Sequence, residues 1–511
     1  MGWSIWFYLG FNYFFNRYIK LKKFFLDFSN TYVNLPDHFY QRVKPQRVKN
    51  PTLLKINLNL AKSLGFKVEG LDNISIDEIL CGNKLPKGAE PIAMAYAGHQ
   101  FGNFVPSLGD GRAILLGEVL TPENKRFDIQ LKGAGITKFS RSGDGRAPLG
   151  PVIREYVVSE AMYHLGIPTT RSLSIIKSDD FIQREDFFPC GVLSRVASSH
   201  IRIGTFEYFN YRKDVKSLKL LADYTINRHF PSIKKTKNKY KQLLMMVQSL
   251  NAELVARWMA VGFIHGVMNT DNTSISGETI DYGPCAFMDY YNPKQVYSYI
   301  DHQGRYSYIN QGKIMFWNLS KFAESLIPIL DEDSNVARSI AIDVLKDFPR
   351  LFESKWLDNM RKKFGFSSKF KGDSQIISEF LNLIEGESLD YTKSFRNLIF
   401  DNNKDFSYRN FEFKESTASK RWFDSWKNRL HKEKIDIQNV FKSMKKINPI
   451  YIPRNHILEK VINELIQDKS NTMLEKILEL IEKPYTHQKN SKYFELPPNP
   501  SEEITNTFCG T

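Results

Sequence analysis

His265-Gly-Val-Met-Asn-Thr-Asp271-Asn272, then Thr273-Ser-Ile-Ser, then Thr279-Ile-Asp281-Tyr-Gly283: the reading of the chain turns on this stretch. A carboxylate and an amide stand side by side, and a second carboxylate follows ten positions later, just after an apolar residue. Metal-assisted phosphoryl or nucleotidyl transfer needs a base near the nucleophile and hard oxygen ligands for Mg2+. The strongly apolar residues 250–263 read as a helix that delivers the chain to His265, and Ser274-Ile275 reads as a short strand. An Asp-Asn pair is also an ordinary turn or cap, and Asp-Tyr-Gly an ordinary strand end, so the stretch needs support from elsewhere. His265 and His99 read as packed, hydrogen-bonded histidines rather than ligands.

Protein kinases draw a base and one metal ligand from His-Arg-Asp-x-x-x-x-Asn, and the other ligand from Asp-Phe-Gly. Here Asp271 and Asn272 are adjacent, and Asp281-Tyr-Gly283 stands where Asp-Phe-Gly would. The logic is kinase-like and the spacing is not.

Upstream, residues 113–120 and 127–131 alternate as a β-hairpin around a polar turn, with Lys132 at its end. Two Gly-Asp-Gly-Arg turns flank this strand, one carrying Gly109, Gly111 and Arg112, the other Asp144, Gly145 and Arg146. Glycines let backbone N–H groups approach a phosphate, and an arginine forks onto its oxygens. Either turn alone is an ordinary hairpin turn; two copies around one lysine point to anion binding. No Walker A pattern is present. Pro151 opens a helix over residues 152–165 that Gly166 ends, with Glu155 in its first turn. A strand lysine followed by a helix glutamate is how kinases hold phosphates, although a surface lysine and a helix-dipole glutamate would look the same. Arg195 and Arg202 suit either anion contacts or structural salt bridges.

The 511 residues are 42% hydrophobic and 14% aromatic, enough for a sizeable core. Strands at 170–177 and 191–196 complete a β-rich region, and helical spacing appears at 54–64, through most of 215–264, and at 319–330, 336–345, 458–466 and 473–481. The expected class is α+β, a small β-rich lobe (28–205) over a mainly helical one (206–484) that carries the catalytic loop 265–283, with a nucleotide between them. Residues 485–511 read as a polar tail with Cys509, and 1–27 as an aromatic and basic extension. Its uncharged run, residues 3–15, is shorter than the roughly 20 residues a spanning helix needs. An interfacial anchor, a targeting leader and an upstream start extension stay open, so no membrane partner is named. The net charge of +15 comes from scattered lysines, and the cluster Lys234, Lys235, Lys237, Lys239 and Lys241 reads as a solvated loop. Without an RNA-binding signature, no nucleic-acid partner is expected. Four dispersed cysteines make neither a zinc site nor a disulfide framework and fit a reducing compartment, the cytoplasm, or a mitochondrion if the extension is a leader.

These residues carry a resemblance. YAGHQFG (96–102), LGDGRA (108–113), QLKGAG (130–135), SGDGRA (142–147), HGVMNTDN (265–272), DYGP (281–284) and DHQGRYSY (301–308) resemble, in order, blocks of the selenoprotein O family, also called YdiU. These are protein adenylyltransferases with a protein-kinase-like bilobal fold. The resemblance implies ATP bound in a flipped orientation, so that AMP passes to Ser, Thr or Tyr hydroxyls of protein substrates with Mg2+ or Mn2+ as cofactor. It implies nucleotide contacts at Gly109, Gly111, Arg112, Lys132, Asp144, Gly145, Arg195, Arg202 and Asp281, a base at Asp271, metal ligands at Asn272 and Asp281, and Glu155 as partner of Lys132. Several members end near a selenocysteine where this chain has Cys509, and redox regulation through that tail implies a Cys285–Cys509 pair as an expectation. The alternatives are UMP transfer from UTP with Mn2+, an ordinary kinase, an inactive nucleotide-binding scaffold and, on charge alone, a nucleic-acid binder.

Overall fold

Alternating side chains build the sheet that holds the site. The structure, a computed structural model, describes residues 24–25, 27–68, 76–184, 186–400, 406–408, 413–467 and 470–508. The strands are β1 (Tyr40–Arg42), β2 (Thr52–Ile56), β3 (Ile92–Met94), β4 (Ala113–Leu120), β5 (Arg126–Lys132), β6 (Ala147–Pro148), β7 (Arg171–Gln183) and β8 (Phe187–Ala197). They form one eight-stranded antiparallel sheet in the order β1-β3-β4-β5-β8-β7-β2, with β6 paired to β8. The β4–β5 hairpin is the expected one, closed by Thr121 N to Lys125 O at 2.8 Å.

Period-2 geometry sorts the side chains by face. Ile129 and Leu131 of β5, Ile114 and Leu116 of β4, and Val192 and Val196 of β8 join one apolar core with Leu60, Leu64, Phe66 and Leu80. The intervening Gln130 and Lys132 take the opposite face, and Arg195, the register partner of Gln130, shares it. That face meets the helix Leu149–His164, which is buried along nearly its whole length. The helix is covered in turn by Asn455–Ile466 and Thr472–Glu482, to which Arg154 is tied through Asn455 at 3.0 Å and Glu459 at 2.5 Å.

After Arg202 the chain is mainly helical, and Lys239–Ala260 runs through its core beside Gln311–Leu330 and Phe348–Lys363. Several expectations are corrected. Residues 54–64 are not one helix: Leu54 to Ile56 belong to β2, where Lys55 and Ile56 pair with β7, and Asn57 then caps the helix Leu58–Ser63 by accepting from Leu60 N at 3.0 Å. The helix expected over 250–263 stops at Ala260, because Gly262 takes φ +73° and Phe263 pairs with Phe287. Ser274 makes only an isolated bridge with Arg202 rather than a strand. Lys234, Lys235 and Lys237 are exposed outside helices, but Lys239 and Lys241 belong to the first turn of Lys239–Ala260. Residues 485–508 lie against the body, with Phe494 and Thr507 buried. No helix among the described residues is long and apolar enough to cross a membrane. The aromatic run at 3–15 lies outside the described residues.

Lys363 ends its helix inside the core, 2% exposed, with Nζ 4.1 Å from the Phe395 ring centroid and 5.6 Å from that of Tyr391. Burial pulls its pKa down to about 7. An unfolded lysine titrates near 10.4, so between these values the unfolded chain holds a proton that the folded chain lacks. The position therefore costs stability at neutral pH, and the cost fades as pH rises toward 10. Cation–π contact with Phe395 recovers only about 2 kcal/mol. Lys363→Met is expected to stabilise the protein by about 3 kcal/mol at pH 7, with the gain shrinking toward pH 10. Thermal midpoints of both proteins at the two pH values check this, and an equal or lower midpoint for the variant at pH 7 refutes it.

Candidate active site

Lys132, register partner of Ala113 and Leu193, is held in the middle of the sheet. Its Nζ donates to Glu155 Oε2 at 2.7 Å and to Asp281 Oδ1 at 2.5 Å. Arg195 donates from Nε to Glu155 Oε1 at 2.7 Å and from Nη2 to Asp281 Oδ1 at 3.3 Å. Two cations and two carboxylates thus interlock, with Lys132, Glu155 and Arg195 nearly inaccessible and the Asp281 side chain 27% exposed. Burial pushes the Asp281 carboxyl up, but Lys132, Arg195 and Arg112 outweigh it and hold it well below the usual range. Glu155 follows the same balance: burial raises it, and Arg195 and Lys132 bring it below its ordinary value. Asp281 sits at φ +67°, a left-handed conformation that Asp and Asn tolerate better than most residues.

A second chain of contacts leads from this cluster to Asp271. Arg195 Nη1 donates to Gln130 Oε1 at 3.2 Å, and Gln130 Nε2 to Asp110 Oδ2 at 3.2 Å. Asp110 Oδ1 lies 3.7 Å from Arg202 Nη2, and Arg202 Nη1 donates to the Asp271 carbonyl at 2.7 Å. The Arg202 guanidinium also lies 4.6 Å from the Tyr96 ring centroid. Asp271 is 7% exposed, its Oδ2 accepts from Gln100 Nε2 at 3.3 Å, and its buried Oδ1 has no hydrogen-bond partner. Burial raises its pKa to about 6, against the pull of Arg202 and Gln100. Next to it, Asn272 commits its amide nitrogen to Val267 O at 3.2 Å.

His265 is fully buried and stacked on Trp258, as a packed histidine should be. Its Nε2 donates to Ile280 O at 2.9 Å while Nδ1 accepts from Val267 N at 3.4 Å, which fastens the Asp271 loop to the turn before Asp281. Burial lowers its pKa, in keeping with a neutral ring.

The two Gly-Asp-Gly-Arg turns converge on the segment after Lys132. Gly133 N donates to Arg112 O at 2.7 Å, and Gly135 N to Gly145 O at 3.0 Å. Gly145, at φ +69°, lies against the Gly135 backbone too closely for any side chain. The aspartates differ in use. Asp110 is an internal residue, accepting also from Met94 N at 3.1 Å, whereas Asp144 is partly exposed and held by Arg184 at 2.7 and 3.0 Å. Gly109 takes φ +64° under the Phe139 ring, and Gly111 packs on the Phe139 carbonyl.

Lys132, Glu155, Arg195, Arg202, Asp271 and Asp281 are thus joined by hydrogen bonds and ion pairs, and Arg112 acts on Asp281 electrostatically. Asp144 and Gly145 stand one backbone contact further out. Sequence reasoning missed Gln130, Asp110, Gln100 and Tyr96. Gln130 was findable, because it lies beside Lys132 on the same strand, two residues before it. Cys285 is fully buried behind this turn, and Thr507 Oγ1 donates to the neighbouring Pro284 O at 2.7 Å. Cys509 lies outside the described residues.

With that geometry in view, comparison with known proteins is informative. The family model described as protein adenylyltransferase SelO matches residues 22–482. The chain belongs to the SelO family. It is 48% identical over 487 residues to "Protein nucleotidyltransferase YdiU" of Bradyrhizobium diazoefficiens, covering 95% of this chain and 99% of that protein. It is 47% identical to proteins of the same name from Bacillus thuringiensis strain Al Hakam (94% and 98% covered) and Rhizobium meliloti (95% and 99%). The SelO chain is therefore an enzyme of the protein nucleotidyltransferase class, and a nucleotide is its substrate.

Proposed function

We propose that this protein transfers AMP from ATP to Ser, Thr or Tyr hydroxyls of protein substrates, in a protein-kinase-like arrangement of a nucleotide lobe (28–205) and a helical lobe (206–484). The observation that carries the reading is the continuous path from the Lys132–Glu155–Arg195–Asp281 cluster through Gln130, Asp110 and Arg202 to the buried, unpartnered oxygen of Asp271.

Arg112, Lys132, Arg195 and Arg202 supply the positive charge that a triphosphate requires, and the backbone of Gly109, Gly111, Asp144 and Gly145 shapes the adjoining turns. Glu155 keeps Lys132 extended toward Asp281. Among the described residues, no three His, Cys, Asp or Glu side chains are grouped to hold a metal ion by themselves. Asn272 and Asp281 fit a divalent cation that takes its remaining ligands from phosphate: Asp281 stays ionised, and Asn272 has its nitrogen engaged so that its oxygen is the end left for a cation. Mg2+ or Mn2+ held there would neutralise triphosphate charge. Asp271 accepts the proton of the acceptor hydroxyl as its oxygen bonds to the α-phosphorus, the Pα–O–Pβ bond breaks, and pyrophosphate departs. A carboxylate with pKa about 6 is matched to that task near neutral pH.

Purified protein incubated with Mg2+ and ATP labelled at either the α- or the γ-phosphate tests this. Protein-bound α-label, and a mass increase of one AMP, is expected. Bound γ-label instead would make the protein a kinase, and no bound label with any nucleotide would leave a binding scaffold. The relatives' name specifies no nucleotide, so α-labelled UTP with Mn2+ belongs in the same experiment, and label from UTP alone would make the transfer a uridylylation. The Cys285–Cys509 pair remains part of the proposal. An oxidised sample without that cross-linked peptide in non-reducing mass spectrometry would remove it.

A further inference from the structure

The loop bearing Asp271 is gripped by a hairpin from the β-rich part of the chain. Strands Gly98–Gln100 and Asn103–Val105 pair antiparallel around Phe101 and Gly102, whose φ values are +50° and +87°. Three consecutive hairpin residues reach three consecutive loop residues. His99 N donates to Thr270 Oγ1 at 2.7 Å, Gln100 Nε2 to Asp271 Oδ2 at 3.3 Å, and Phe101 N to Asn269 Oδ1 at 3.1 Å. The last oxygen also accepts from Tyr306 OH at 2.5 Å, so Asn269 is held from two sides.

Gly98 is needed for space rather than for backbone conformation. Its φ is not positive, yet a Cβ there would lie 2.7 Å from Asp271 Oδ1 and 2.9 Å from Asp271 Cβ. The hairpin is anchored on its other side by His99, whose Nδ1 lies 2.5 Å from Glu207 Oε1 and whose ring packs on Phe104 and edge-on to Trp317. Glu207 belongs to the helix Ile203–Tyr211, which itself packs on the turn Thr270–Asn272. The Asp271 side chain is therefore boxed, with one oxygen held by Gln100, the carbonyl held by Arg202, and the second oxygen buried without a partner.

We propose that the hairpin of residues 98–105 is a positioning device for the acceptor step, in which Gln100 orients the Asp271 carboxylate through one oxygen and Gly98 leaves the space in which the other, buried oxygen packs. This rests on the reading of Asp271 as the base. Gln100 and Gly98 are positioning residues, because they act through Asp271. A loop that merely supports the fold would lose stability and nucleotide affinity together when altered. A positioning loop loses turnover alone, since displacing a reacting group by about 1 Å costs on the order of 100-fold in rate.

The test is steady-state transfer of α-labelled AMP by the full-length protein, with ATP affinity and thermal midpoint measured on the same samples. Gln100→Met keeps the length of the side chain and removes the donor. Its kcat is expected to fall about tenfold with KM for ATP and the thermal midpoint unchanged. Gly98→Ala is expected to lose about 100-fold in kcat, since its methyl group meets the carboxylate directly. A Gln100→Met protein with wild-type kcat overturns the proposal, as does one whose kcat falls only in step with ATP affinity and midpoint. Asp271→Asn separates this idea from the reading beneath it. If that variant turns over at the wild-type rate, the base assignment fails and the hairpin's role fails with it. If it is inactive while both hairpin variants keep their kcat, the base stands and only the positioning role falls.

Discussion

Asp281→Ala abolishes nucleotide transfer: this is the largest effect expected from a single substitution. Asp281 is where three cations meet one carboxylate, with Lys132 at 2.5 Å, Arg195 at 3.3 Å and Arg112 within electrostatic reach. Removing it takes away the one anionic ligand proposed for the divalent cation and leaves Glu155 as the one carboxylate hydrogen-bonded to Lys132 and Arg195. Alanine also has to occupy φ +67°, which costs roughly 1 kcal/mol outside glycine, so a loss from Asp281→Ala mixes backbone strain with lost charge. Asp281→Asn removes that ambiguity, because asparagine tolerates the same backbone and nearly the same shape. Both variants are expected to fall at least about 1,000-fold in kcat with α-labelled ATP, as a metal-dependent charge clamp is lost. Transfer by Asp281→Asn at the wild-type rate would show that the cation is not held here. Lys132→Met, by contrast, is expected to weaken ATP use through a higher KM, about tenfold or more, since the role proposed for Lys132 is to contact phosphate rather than the metal.

The contrast between these positions also separates what local sequence rules reveal from what only the folded chain brings together. Lys132, Glu155 and Arg195 are legible because local rules place them: a lysine at the end of an alternating strand, a glutamate near the start of the next buried helix (its second turn, since the helix begins at Leu149 and not after Pro151), an arginine on a later strand. Their convergence follows from sheet order, in which β8 pairs with β5 across an intervening helix. The path beyond them is not legible. Asp110 and Gln130 bond across 20 residues, and Arg202 reaches the Asp271 carbonyl across 69, so no spacing rule connects them. The misread helix at 54–64 shows the same limit. Its apolar residues satisfy helical spacing, but β2 gains a ladder with the distant strand β7, and Asn57 postpones the helix. The phosphorus attacked by the acceptor lies beyond the reach of spacing altogether, since a base and two metal ligands serve the α- and γ-positions equally well.

The second large effect concerns the proton. Asp271→Asn is expected to lower kcat by roughly 100- to 10,000-fold, the range typical of a lost general base, with nucleotide affinity retained. Retained affinity follows from the contacts. Arg202 bonds to the Asp271 carbonyl, which asparagine keeps, so the Arg202–Asp110–Gln130 path to the phosphate cluster stays intact. What changes is the oxygen that has no partner. In the wild type it is a buried acceptor facing no donor, packed against Gly98, which is a costly arrangement. In the variant one position carries either a carbonyl oxygen too weakly basic to take a proton or an NH2 group that repels the incoming donor. Binding of a fluorescent ATP analogue and single-turnover transfer separate the two contributions. Unchanged binding with a collapsed transfer rate is the expected pair of results. Collapsed binding would place Asp271 among the nucleotide contacts, and an unchanged rate would require the hydroxyl to lose its proton to another group.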